Sequence, residues 1–309
     1  MNYTSWKVFI DAAELGSFSK VALFWNISQP QVSRHIQDLE KQCGGRLFQR
    51  NGRGVELTDL GKRLAPKVRG WILSTEQLEN DIRETSGQPI GKVSIGILPS
   101  TSHPWISNLF FILKQKYPLI QLMVREGQGA QLETWLEQGK VDLAILYRQS
   151  PSPKNGDIYL LNTSTYLVGH KDDPLTCKNE LTFAAIDGIP LTTFCRPSTW
   201  RDRLDELALE YKINLNVILE ADSLGLQAEA VEKGNCYALL GPYASYAAEN
   251  SHNVKAVKII EPEISRYIAL AMSPHGSLTL ACKTVMELVK DLTSLTSNLG
   301  DKYNVEILN

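Results

Sequence analysis

Between residues 28 and 35 the chain reads SQPQVSRH, so that Gln29, Gln31, Ser33, Arg34 and His35 gather amide, hydroxyl, guanidinium and imidazole groups within two helical turns. A Gln amide can bond the edge of adenine, Arg can grip guanine or phosphate, and Ser can serve either. Further on, Arg50 and Arg53 flank Asn51-Gly52, a pair suited to the left-handed turn of a hairpin. Cations at such a tip suit a narrow minor groove. A different chemistry is offered by Ser100 and Thr101 in PSTS, where hydroxyls and free backbone N–H groups at a helix start favour an anion. Arg196 in TTFCRPS can pair with carboxylate or phosphate. Each feature also has a plain structural reading: a solvated helix face, an exposed hairpin with two soluble cations, a simple helix cap, and a surface cation or salt bridge.

Machinery for catalysis is not visible. The five histidines (35, 103, 170, 252 and 275) lack HExxH spacing, and there is no GxSxG, Walker loop or Rossmann glycine fingerprint. The five cysteines (43, 177, 195, 236 and 282) are scattered, odd in number and form no CxxC pair. That pattern calls for no zinc cluster or disulfide framework and fits a reducing compartment. The N-terminal stretch carries acidic residues where an export signal needs an apolar run, and nothing approaches the roughly 18 apolar residues of a membrane span. The expectation is a cytoplasmic protein with no membrane partner, no metal and no cofactor.

The elements that would position these groups follow from periodicity. Trp6, Phe9, Ile10 and Ala13 predict a helix over about 3–15, stopped at Gly16. Ser17 opens a second helix whose expected inward face is Phe18, Ala22 and Leu23, and Ser28 caps a third, with Pro30 tolerated in its first turn. On that third helix Val32, Ile36 and Leu39 recur at core spacing, which leaves the polar cluster on the other side. RLFQRNGRGVELTDLG reads as a strand, a tight turn and a strand.

Thr58 then opens a long helix to about Thr85 in which Leu64, Val68, Trp71, Thr75, Leu78 and Ile82 form the seam of a coiled coil, or alternatively pack on their own domain. Pro66 removes one of its helical hydrogen bonds. Residues 1–69 carry a net charge of +5 and the rest −7, the asymmetry expected when only the head meets phosphate. Beyond Gly91 strands alternate with helices, the rhythm of a parallel α/β sheet. Ligands in such sheets sit beyond the carboxyl ends of the strands, where PSTS falls.

GSFSKVA followed by SQPQVSRHIQDLEKQCGGRLFQRNGRGVELTDLGKRL resembles the signature of LysR-type transcriptional regulators across almost the whole head. The resemblance implies an α/β chain in three parts: a winged helix-turn-helix over 1–57, a linker and dimerisation helix with hinge over 58–89, and an effector-binding body over 90–309. That body has the two-lobed, type 2 periplasmic-binding-protein-like fold, with lobe I over 90–163 and 267–309 and lobe II over 164–266. It also implies that Ser19 anchors phosphate, that Gln29, Pro30, Ser33 and Arg34 face the major groove, with Gln31 on the same polar face, and that Arg53, beside Arg50, faces the minor groove. Around the ligand cleft, Ser100, Thr101, Gln128, Gly129, Tyr147, Phe194 and Arg196 are expected.

Many family members have Ser or Thr at the position of Gly129, so a ligand hydrogen bond is missing here and a wider pocket or a bulkier ligand is expected. The implied partners are double-stranded promoter DNA, a small and anionic effector, a second copy paired through the linker helix, a homotetramer built from two such pairs, and RNA polymerase. The segment EGQGAQLETWLEQGKVDLAILY most resembles the branch that includes nitrogen assimilation regulators. A transport solute-binding protein would share the body but not the basic head.

Overall fold

The computed structural model describes residues 2–51, 54–83, 88–150, 156–275, 279–296, 299, 303 and 305–308. In the head, α1 (Tyr3–Leu15) starts where the Asn2 side chain accepts from the Ser5 N–H and stops at left-handed Gly16. Then come α2 (Phe18–Trp25) and α3 (Gln29–Cys43), the latter closed by left-handed Gly44. Strands β1 (Phe48–Asn51) and β2 (Gly54–Leu57) pair antiparallel, and α4 (Asp59–Arg83) runs on through Pro66. Val32, Ile36 and Leu39 are at most 2% exposed and pack with Val8, Phe9 and Val21. Each fully buried side chain of this kind is worth about 1.5–3 kcal/mol.

Leu23 differs from the sequence expectation, since it is 86% exposed while Val21 and Ala22 are buried. The reason is angular: at about 100° per residue, position 23 lies roughly 140° round the helix from Phe18, whereas 21 and 22 share its side. His35 also leaves the polar face, its Nδ1 lying 2.8 Å from Ser5 Oγ on α1.

The row along α4 divides in two. Leu64, Ala65, Val68 and Ile72 belong to the head's own core. Trp71 meets Tyr3 edge-on at 5.5 Å, Thr75 donates its hydroxyl to the Trp71 carbonyl, and Leu78 is 60% exposed. The side chain of Ile82 lies outside the described residues.

In the body, β3 (Gly91–Ile97), α5 (Pro99–Lys116), β4 (Ile120–Glu126), α6 (Gly129–Glu137), β5 (Leu143–Arg148) and β6 (Ile158–Thr163) build the first lobe. The second lobe follows with β7 (Tyr166–His170), β8 (Glu180–Thr182), β9 (Pro190–Thr193), α7 (Thr199–Tyr211) and β10 (Asn216–Glu220). It continues through α8 (Leu224–Lys233), β11 (Tyr237–Leu240), α9 (Pro242–Ser251) and β12 (Val254–Ile260). The chain then returns to the first lobe as β13 (Arg266–Met272), α10 (Leu280–Asp291), α11 (Thr293–Thr296) and β14 (Val305–Ile307).

The sheets run β14-β6-β13-β5-β3-β4 and β10-β9-β11-β7-β12-β8. Only part of this is parallel: β3 pairs parallel with β4 and β5, but β13 runs antiparallel to both of its neighbours. A strand that re-enters a sheet from another lobe has no crossover helix to set its direction, which βαβ reasoning cannot foresee. The two crossings lie side by side. Thr163 donates to the Arg266 carbonyl (2.8 Å), Thr165 to the Ile264 carbonyl (2.9 Å) and Ser164 to Glu263 Oε1 (2.7 Å).

Head and body touch through α4. Gly70 lies so near the His275 carbonyl that an added Cβ would stand 2.4 Å from its oxygen, and the Arg69 side chain packs 3.6 Å from where a Cβ on Gly139 would be. Arg69 itself is buried and pairs with Glu14 of α1.

Candidate nucleic-acid interface and ligand cleft

At the start of α3 the exposed residues are Gln29, Pro30, Gln31 and Arg34, with Ser33 half-buried between them and Ser19 exposed on α2. Pro30 fits because the first-turn N–H groups have no helical partner. Gln31 has a second task, since its Oε1 accepts from the Ser28 N–H (2.8 Å) and hydroxyl (2.9 Å). Its amide nitrogen is then the group left to face outward. Arg50 is exposed on β1, and Arg53 lies outside the described residues. The surface is thus a helix N-terminus with Gln, Ser and Arg beside a hairpin strand carrying Arg.

The second site is a cavity of about 290 Å³ between the lobes, at the low end of the roughly 300–1,000 Å³ of small-molecule pockets. Ser100, Gln128, Gly129, Tyr147 and Phe194 all line it. Three of them sit at strand-to-helix junctions: Ser100 in the first turn of α5, Gln128 as the N-cap of α6 with no side-chain cap bond, and Gly129 after it. A Cβ on Gly129 would meet Thr199 Oγ1 of the second lobe at 3.2 Å, so the bare backbone here lets the lobes approach.

Two of the expected residues are not part of this cavity. Thr101 is 1% exposed and its hydroxyl donates to the Leu98 carbonyl one turn back (3.2 Å), which makes it a helix-start residue facing the core. Arg196 is on the outside, bonded to Asp202 (2.9 Å) and to Asp205 of α7. The strand–helix connection carries it outward while Phe194 points in.

Arg266, at the start of β13, is a buried cation that does line the cleft. It is 9% exposed, with its guanidinium 3.9 Å from the Tyr147 ring centroid and 4.1 Å from that of Trp200. Trp200 is fixed by its indole N–H donating to the Leu239 carbonyl (3.2 Å). Burial pulls the Arg266 pKa down from its ordinary value, opposed only by Tyr147, and burial pushes the Tyr147 phenol up. Gly241 makes the room, because a Cβ there would lie 3.0 Å from Arg266 Nη1. In the sequence Arg266 is simply one charge before an apolar strand, and Trp200 follows a helix cap; neither pattern signals a cleft.

Among the described residues no group of three or more His, Cys, Asp and Glu could hold a metal ion. Among them, too, no helix is long and apolar enough to cross a membrane.

Fold and sites define a class: a winged helix-turn-helix reader carried on a two-lobed small-molecule receptor. Residues 3–62 match the model described as bacterial regulatory helix-turn-helix protein, lysR family, and residues 86–294 match the LysR substrate binding domain. The chain belongs to the LysR family of transcriptional regulators, which are not enzymes. It is 28% identical over 298 residues to the nitrogen assimilation regulatory protein nac of Klebsiella aerogenes, covering 96% of this chain and 97% of that one. To the DNA-binding transcriptional dual regulator OxyR of Escherichia coli it is 24% identical over 290 residues, 94% and 95% of the two chains. Among solved structures, a full-length OxyR variant from Pseudomonas aeruginosa superposes with a TM-score of 0.76 at 18% identity over 98% of each chain. Full-length CbnR in complex with its target DNA gives 0.63 at 16% identity over 94% and 99%. At these identities the structural likeness is one of fold.

Proposed function

We propose that this chain binds promoter DNA by setting the start of α3 in the major groove, and that a small anionic effector held between its lobes changes how it binds or bends that DNA. The observation that carries the first half is the division of α3: Val32, Ile36 and Leu39 are sealed inward while Gln29, Pro30 and Arg34 stand in solvent. Gln29 and Arg34 supply base contacts, Ser33 and Gln31 flank them, Ser19 and Arg50 hold phosphate, and Arg53 reaches the minor groove. Paired heads read two half-sites, and the exposed part of α4 around Trp71 and Leu78 is the surface through which two copies pair in the cytoplasm. Two such pairs form a tetramer, and RNA polymerase is the partner on which activation would act.

The second half rests on Ser100, Gln128 and Arg266 converging on one cavity between lobes joined by two adjacent crossings. A ligand that binds one lobe arrangement more tightly shifts the population toward it, and without such a difference nothing moves. The test is a gel shift and footprint on the DNA upstream of the chain's own gene. The unsubstituted protein should protect a two-part site, and the double variant Arg34→Ala, Arg50→Ala should not. Protection that survives both changes, or footprints identical with and without a bound effector, would count against this reading.

A further inference from the structure

We infer that the effector is a monocarboxylate with a flat, apolar body, and that its carboxylate is seated on the edge of the Arg266 guanidinium. This rests on the reading of the cleft as the effector site and makes that site specific. Among the described residues Arg266 has no ion pair and its guanidinium no hydrogen-bond acceptor; its neighbours are two aromatic rings. A buried cation with no counter-charge is costly to hold, and two neighbouring rings recover only part of its lost hydration. Ring faces accept no conventional hydrogen bonds, so the N–H donors of the planar guanidinium keep their capacity for an anion. A planar carboxylate can meet the guanidinium edge with two parallel hydrogen bonds.

The charge inventory of the cavity sets the ligand at one negative charge. Arg148 is already held by Glu133 and Asp157, and Arg203 by Glu206. Glu263 is held by Lys258, and Glu210 brings a further negative charge to the wall that carries Arg203. Among the described residues of the lining, no second cation without an acidic partner is left over for a dianion. The rest of the lining is mixed: apolar Phe194, Leu207 and Ile264 stand beside polar Ser100, Gln128 and Thr199. A body with a flat apolar face gains from burial against the first set.

Arg266 also ties binding to lobe geometry. Tyr147 comes from the first lobe and Trp200 from the second, so the guanidinium is clasped by one ring from each. An oxyanion seated on its edge would engage a group that already spans both lobes.

The experiment uses the full-length protein with cinnamate as the probe, and cinnamamide, phthalate and inorganic phosphate as comparisons at matched ionic strength. Binding is read by thermal stabilisation and by quenching of tryptophan fluorescence. Cinnamate is expected to bind, and cinnamamide, phthalate and phosphate to bind about 30-fold more weakly or not at all, the scale for leaving a buried charge without its partner. Arg266→Gln should lose cinnamate by the same factor, Arg203→Gln should keep it, and Arg266→Lys should retain part of it. Because the charge removed is unpaired, Arg266→Gln should unfold at no lower temperature than the parent, which separates lost binding from lost fold. Equal binding of the amide or of phosphate, an Arg266→Gln variant that binds as well as the parent, or no binding of cinnamate at all overturns the assignment. Cinnamate bound through Arg266 with an unchanged DNA footprint would instead leave the anion site standing and refute the regulatory reading.

Discussion

The contact between α4 and the body can be tested by a change whose sign depends on whether it exists. Gly70→Ala places a Cβ 2.4 Å from the His275 carbonyl oxygen, roughly 1 Å short of van der Waals contact. Within a helix, Gly to Ala is otherwise favourable by about 0.8–1.0 kcal/mol, because the backbone loses less entropy on folding. Inserting a methyl into a closed contact costs typically 1–3 kcal/mol. If head and body are docked, the net effect is a loss of up to about 2 kcal/mol, or separation of the two surfaces. If they are not, the variant gains about 1 kcal/mol, a rise of roughly 4–8 °C in the midpoint of a separate head of this size. The assay is thermal unfolding of the full-length protein, with DNA affinity measured alongside. The expected result is a lower first midpoint, unchanged affinity for DNA and a weaker response of that affinity to a cleft ligand. A raised midpoint with full ligand response would refute the reasoning, since the head would then answer the body by another route.

Leu78→Glu, on the exposed half of α4, should shift the protein toward monomer in sedimentation velocity and weaken operator binding without lowering the unfolding midpoint. Arg34→Ala should cost about 1–3 kcal/mol against the preferred site and blur discrimination at one position, while Arg50→Ala should weaken all sequences alike and lower the salt slope by about 1. Hydrogen bonds from Lys258 first, and then from Ser164, hold the Glu263 carboxyl below its ordinary pKa. The stability this adds is complete above the ordinary carboxylate range and fades as pH falls through the lowered value, so Glu263→Gln should flatten the acid side of the stability profile in titrated melts.

The head was largely legible because one periodicity decides both what is buried and what is offered. Val32, Ile36 and Leu39 turn inward at helical spacing, and Gln29 and Arg34 must then turn out. Leu23 shows where such reading fails: an apolar residue in a short helix stays in solvent when its angle points it away. The cleft was half legible. Ser100, Gln128 and Gly129 line the cavity where the rule of ligands beyond strand ends puts them, whereas Arg196 does not line it and Arg266 does. Arg196 sits in a loop with turn signals and looked available, yet two acidic residues a turn or two along the same chain neutralise it. Arg266 reaches the cleft only because β13 returns from the other lobe, a pairing between segments about a hundred residues apart that no local pattern records.

That return has a consequence for synthesis. In the first lobe β13 lies between β6 and β5, so its sheet has no middle until residues 266–272 have left the ribosome. Strands β3 to β6 must wait, half-formed and with apolar edges open, while the whole second lobe is made. The guanidinium that faces the cavity is delivered by the first residue of that same late strand. A nascent chain therefore cannot sense its ligand before the receptor is architecturally complete, whereas the head, finished two hundred residues earlier, is free to fold long before then.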